Sequence, residues 1–430
     1  GPRSASTLMT AFVFGQYPDG RRHALAFKAF NAETAEWAPI GSRRHPEVVF
    51  PGLMDVANYA GAGTIWQRDI TQMPLAENSA ELAAWMDRNN PDQWGRTGDG
   101  KFPGDPRVKT GTNTSVAGTS PIPVYLVDSS HPDCHFQQME ATRGVGLTPW
   151  AAQNILSGMI PMPEFAEPAR IGDRGLAIWD IHTGIIREYF MVNRKAGGDG
   201  WTAVSGGFSV MSPGFKKLAQ ENWATQLQLG SSAVARMHNA IGFVGIDEVR
   251  CGRINHALAF TFGAVAAGNP PSWPAQMTDG KAPASEAPSS PVHGQWGRLA
   301  ADVNPWFNPK TGLPYNPLTR LLIVAAKQYG IVGTDTNAFC HAFNFEDGQT
   351  EKAVTGVDPW DVEKTRILAD RVSTTKVDGS TLNAFSVRDF PWDRTEWAPR
   401  DWGRPDVDFT PREGGAAWRR DRDAQEVASQ

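Results

Sequence analysis

The sequence predicts an all-β (β-rich) protein, a two-sheet, jelly-roll-like sandwich core with short peripheral helices. Three observations lead there. The 430 residues include 43 Gly and 32 Pro, and breakers at that density shorten helices and multiply turns. Hydrophobic residues make up 40% of the chain, which supplies a core and excludes wholesale disorder. The strand-like runs are short, β-branched or aromatic, and bounded by turn signals.

Residues 1–8 read as a cleavage scar and linker, because Gly1-Pro2 is a common protease remnant. Residues 9–60 form an N-terminal hairpin or edge segment, with strands at 11–15 and 23–30 around the Asp19-Gly20 turn signal. The sandwich core spans 61–400. It opens with a short helix near Ser79, where Asn78 offers a cap, Glu81 completes a capping box, and Leu82, Trp85 and Met86 share a face. A Gly/Asp/Pro/Thr-rich surface loop follows at 91–121.

The centre of the core is the most regular part. Runs at 175–181 and 185–192 are joined by His182-Thr183-Gly184 and predict a hairpin. A strand follows at 201–210, then a helix at 213–229 between Ser212-Pro213 and Gly230. Residues 256–262 alternate as a strand, and 263–294 read as an elaborated loop. A second helix covers 318–329. Asn316 caps it, Pro317 takes the first position, Leu318, Leu321, Leu322, Ala325 and Tyr329 form its apolar stripe, and Gly330 ends it. Strands at 339–345 and 382–387 complete the core, and 401–430 is an Arg/Asp-rich C-terminal arm.

Forty-six acidic against 41 basic residues leave a net charge of −5. That balance argues against a dedicated nucleic-acid partner, which needs a basic footprint to displace counterions. Apolar runs such as 321–326 fall far short of the roughly 20 residues of a membrane span. Cys134, Cys251 and Cys340 are widely spaced, leaving open one disulfide with a free thiol or none.

Motif-based chemistry is sparse. Residues 95–101 match the start of a phosphate loop, but Phe102 replaces its Ser/Thr and Pro103 blocks the helix. No serine nucleophile elbow, zinc-protease motif or dinucleotide fingerprint is present, so no cofactor and no metal is assigned. His131, Asp133, Cys134 and His135 concentrate donor atoms without the paired spacing of a zinc site.

Carboxylates offer one route to catalysis. If Ile178 faces Glu188 across the hairpin, Asp180 and Glu188 become same-face diagonal neighbours about 7–8 Å apart. Inverting glycosidases place their carboxyls about 6.5–9.5 Å apart. Asp247-Glu248, just before His256, offers a second acid/base grouping. The competing reading of each is a turn or an ion pair with Arg187 or Arg250. Tryptophans offer a different route: Trp94, Trp273, Trp296 and Trp306 lie in Pro/Gly-rich segments, where an exposed indole can stack on a sugar ring. The alternative is that these rings plug the ends of the sandwich.

From about Ile65 to Arg394 the chain resembles a family of bacterial exported β-rich proteins, common in actinobacteria. The resemblance is carried in order by Ile65-Trp66, Met73-Pro74, Ile122-Pro123-Val124, Ile160-Pro161-Met162-Pro163, Gly172-Asp173-Arg174, and Arg187-Glu188-Tyr189-Phe190. It continues through Ser205-Gly206-Gly207, Asp247-Glu248-Val249, His256-Ala257-Leu258, Gly297-Arg298-Leu299, and Phe390-Pro391-Trp392-Asp393. It implies a two-sheet sandwich in cell-surface or polysaccharide contexts. Gly175 stands where many relatives carry His, and Gln276-Met277 where they carry Arg-His, which counts against a shared catalytic site. By analogy, a phage-tail or cell-surface domain also suits such a chain.

The function these readings favour is carbohydrate recognition by a lectin-like surface or phage-tail receptor-binding module. Its partner would be a bacterial envelope polysaccharide or glycolipid, its location extracellular or on a virion surface, and an oligomer is compatible with the sequence. The alternative is a glycan-cleaving enzyme, a glycoside hydrolase or polysaccharide lyase, using Asp180, Glu188, Glu248 and His256. His256 is expected to be structural, tied to the Asp247-Glu248 turn, because it begins an apolar strand face.

Overall fold

The computed structural model describes residues 9–16, 22–31, 36–39, 48–49, 65–90, 110–113, 122–141, 155–170, 173–180, 182–183, 185–210, 233–337, 340–366, 370–377, 380–387 and 389–404. Trp94, the expected 213–229 helix and residues 405–430 lie outside them. The chain is strand-rich with short helices, and its larger sheets mix parallel and antiparallel pairs.

Met9–Gln16 and Arg22–Asn31 pair antiparallel, as the Asp19-Gly20 signal predicts, and Glu36–Pro39 adds a third strand. A five-stranded sheet has the order Ser205–Val210, Ile185–Phe190, Leu176–Asp180, Val124–Val127, Val48–Val49. An eight-stranded sheet runs Asp370–Val377, Ser380–Ser386, Thr110–Asn113, His341–Asn344, Leu258–Phe262, Ile331–Thr336, Trp296–Leu299, Thr395–Trp397. A four-stranded sheet joins Asn193–Arg194, Trp201–Ala203, Phe136–Ala141 and Gly158–Pro161.

Strand alternation divides the core into layers. In the five-stranded sheet, Val124, Leu126, Ala177, Trp179 and Ile186 enter one cluster, while Tyr125, Val127, Leu176, Ile178 and Tyr189 enter another. The second cluster continues into Met139, Ile160 and Trp201 of the four-stranded sheet. The first includes Ala259, Trp296 and Val332 of the eight-stranded sheet. That sheet's other face, with Leu258, Phe260, Phe262, Ile331 and Phe343, packs against the Ser79–Arg88 and Pro317–Gln328 helices and Trp392. Strands covered on both faces need apolar side chains at consecutive positions. Accordingly, every residue of Val124–Val127, Leu176–Asp180 and Leu258–Phe262 is buried.

Both expected short helices that fall on described residues form. Asn316 Oδ1 accepts the Thr319 N–H at 2.8 Å, Pro317 follows, and Gly330 at φ +90° closes the second helix. The first lacks the expected capping box. Asn78 instead donates its amide to the Pro288 carbonyl at 2.8 Å, because a contact from a distant segment claims the side chain.

The hairpin forms in a different register. Ile186 faces Trp179 and Glu188 faces Ala177, one residue away from the expected pairing. Side chains alternate with period two, so this shift places Asp180 and Glu188 on opposite faces of the sheet. Glu188 shares its face with Ala177 and Trp179, and Asp180 shares its face with Ile178. The proposed carboxylate pair does not form.

Candidate functional site

A surface groove of about 490 Å³ opens between the Pro317–Gln328 helix, the 252–255 turn and Trp306. Backbone geometry builds each wall. The Ile246–Cys251 helix ends at Gly252, whose φ of +70° is the left-handed conformation that glycine adopts without strain. Its N–H returns to the Glu248 and Val249 carbonyls, which turns the chain outward at Arg253 and Asn255. Arg253 Nε donates to Asn255 Oδ1 at 2.6 Å.

Trp306 precedes a small ladder between Phe307–Asn308 and Leu313–Pro314. Its N–H donates to Asn304 Oδ1 at 2.8 Å, and its carbonyl accepts the buried Tyr315 N–H at 3.0 Å. The backbone is therefore fixed while the indole remains 57% exposed. Arg320 places its guanidinium 4.4 Å from the Trp306 ring centroid, within cation–π range. Phe307, Leu313 and Val324 extend the exposed apolar surface. An indole, amide groups and two guanidinium groups beside an apolar wall suit a ligand with both a flat apolar face and polar edges.

Of the other tryptophans the sequence singles out, Trp94 lies outside the described residues, and Trp273 and Trp296 do not line this groove. Trp273 and Trp296 are buried, and both, with Trp402, surround the guanidinium of Arg68 at 6.0, 5.0 and 4.1 Å. Trp296 also meets Trp66 edge-on at 5.9 Å. Trp296 is buried on a strand of the eight-stranded sheet and Trp273 in a loop folded over the core, so neither indole is exposed for sugar stacking as the sequence reading expected. Burial holds Arg68 itself at a pKa of about 10.

The carboxylate candidates are separated and each serves the backbone. Asp180 accepts the Ser129 N–H and hydroxyl at 3.0 and 2.7 Å, the His182 N–H at 3.1 Å and the Thr183 hydroxyl at 2.7 Å. Glu188 accepts the Asn239 and Ala240 N–H groups at 3.3 and 3.2 Å, with His238 Nδ1 at 3.7 Å. Glu248 accepts the Gly245 N–H at 2.7 Å and lies 3.0 Å from His256 Nε2. His256 Nδ1 lies 2.8 Å from the Ala257 carbonyl, so the ring is buried between two acceptors.

Burial also raises carboxyls elsewhere. Asp335 is pushed up to about 8 by burial, with Asp173 and Asp279 adding like charge. Asp347 is raised to about 7 and Asp358 to about 6, again chiefly by burial. His293 contacts the Thr278 hydroxyl at 2.9 Å and the Thr336 hydroxyl at 3.0 Å, and burial lowers it to about 4. Among the described residues, no group of three or more His, Cys, Asp and Glu side chains gathers as metal ligands would. Cys340 is buried and Cys134 partly exposed.

Sequence reasoning reached Trp306 but missed Arg253, Asn255, Arg320 and Gln328. A signal for three groove residues exists. Arg320, Val324 and Gln328 recur every four residues and so lie along one helix face. Leu321 is half-buried beside them, lining the groove while it packs against the core cluster that Leu318 and Leu322 enter. No protein-family model matches the chain, and no curated protein or solved structure matches it.

Proposed function

We propose that this protein recognises bacterial envelope glycan through the Trp306 groove. One observation carries the reading: an indole fixed through its backbone stays more than half exposed at a concave surface lined by amide and guanidinium groups. Burial would be the cheaper fate for so large an apolar ring, and stacking on a sugar face gives its exposure a use. An extracellular or virion-surface setting and membership of the exported β-rich family belong to the same proposal. So does the two-sheet sandwich, with the five- and eight-stranded sheets as its layers, supported by the cluster that both contribute to.

The test is co-sedimentation with a panel of isolated bacterial cell-wall polysaccharides, read together with newly formed reducing or unsaturated ends. Retention that Trp306→Ala abolishes, without new ends, supports recognition. Retention unaffected by that substitution removes the basis for choosing this groove.

One observation favours a second reading, glycan cleavage. Burial, with like charge from Asp173 and Asp279, pushes the Asp335 carboxyl up to about 8, and a carboxyl raised toward neutrality suits a general acid. That reading requires new ends in the same assay and their loss in Asp335→Asn.

A further inference from the structure

We infer that the occupant of the Trp306 groove is an anionic glycan, one carrying carboxylate or phosphate groups, held by Arg253 and Arg320. This rests on the glycan reading above and adds the ligand's charge. The groove's lining contains two arginines and no Asp or Glu, although the whole chain carries a net charge of −5.

Neither arginine is neutralised within the described structure. Arg253 spends Nε on the neutral Asn255 amide. Arg320 meets the Trp306 ring, which offers no full negative charge. Neither makes an ion pair with a described residue. Several arginines elsewhere in this protein do find carboxylates. Arg250 pairs with Glu351 at 2.6 Å, Arg298 with Glu396 at 2.7 Å and Arg394 with Asp302 at 2.7 Å. Arg194 is the closest comparison. It also lies over an indole, Trp201 at 3.9 Å, yet it reaches Glu167 at 3.1 Å.

A guanidinium presents planar paired donors that match a carboxylate or phosphate. Packing Arg320 beside Trp306 restricts the fork and brings charge recognition next to the stacking surface. A neutral sugar would use the indole and amides but leave both guanidinium charges unmatched. An acidic sugar uses all of them.

The experiment uses cell-wall polysaccharides separated by anion exchange into neutral, uronate-rich and phosphate-rich fractions, with retention on the immobilised full chain measured at low and high salt. The inference expects an acidic fraction to be retained at least about tenfold better than the neutral one. Arg320→Gln and Arg253→Gln should each lower that retention several-fold and flatten its salt dependence, while Arg194→Gln leaves it unchanged. Carboxyl reduction of the uronate-rich fraction distinguishes carboxylate from phosphate as the recognised group. Equal retention of neutral and acidic fractions, insensitive to both substitutions but lost in Trp306→Ala, would overturn the charge inference and leave glycan recognition standing. Retention of no fraction, or retention that Trp306→Ala does not reduce, would overturn both.

Discussion

At the residue scale, His256 is held by acceptors on both sides, Glu248 at 3.0 Å and the Ala257 carbonyl at 2.8 Å. Both ring nitrogens are thus engaged away from solvent, and removing the ring leaves a buried partner unsatisfied, at a cost of about 1–3 kcal/mol. His256→Ala should therefore lower the melting temperature while leaving glycan retention per folded molecule unchanged. A stable variant that no longer binds would place His256 in the site instead.

Asp347 gives a second residue-scale prediction. Its folded pKa of about 7 exceeds the ordinary value of 3.8. The folded state then holds a proton that the unfolded chain has released, so this group's contribution to stability falls as pH rises from about 4 to 7. Asp347→Asn should match the parent near pH 4 and exceed it above pH 7. The gain has an upper bound of about 4 kcal/mol, at about 1.4 kcal/mol per pKa unit, and urea denaturation at both pH values measures it. His293 and His341, each lowered to about 4 by burial, act in the opposite sense, losing stability as pH falls from about 6.5 to 4. The His256–Glu248 contact was legible because both residues sit in one short stretch. Asp180 and Glu188 were not, because their relation depends on a one-residue register set by a whole sheet.

At the element scale, the Pro317–Gln328 helix both packs the core and walls the groove. Its limits were legible because Asn316, Pro317 and Gly330 act locally, through a cap, a preset φ and a left-handed residue. Asn316→Ala should cost about 1 kcal/mol, measured as a small fall in melting temperature, and weaken retention only modestly. A large loss of binding at unchanged stability would show Asn316 touching ligand. What sequence did not show is the parallel pairing of Leu258–Phe262 with Ile331–Thr336, which places this helix on the crossover between them. Parallel strands need long connections, and their partners lie too far along the chain for local patterns to specify. Residues 263–294 form the elaborated loop the sequence predicts, broken by a 3-10 turn at Ala284–Ser289, and bury Trp273, Val292 and His293 within it.

At the scale of the whole molecule, successive sheets and helices enclose three apolar clusters and bury most of the described tryptophans. Composition signalled the β-rich character but could not tell which indoles would be covered. Trp296 and Trp306 have similar Pro/Gly-rich surroundings, and only tertiary contacts separate them, at 2% and 57% exposure. Removing each should have opposite consequences. Trp296→Ala empties a core position, costs about 3–5 kcal/mol and leaves Arg68 without one of its rings. Trp306→Ala should leave the melting transition nearly unchanged. The most direct test of the central claim is retention of Trp306→Ala on isolated bacterial envelopes, compared with the parent at equal folded concentration. The account predicts that retention falls at least about fivefold, since exposed stacking of this kind contributes roughly 1–3 kcal/mol. Undiminished retention by a folded Trp306→Ala protein would contradict it.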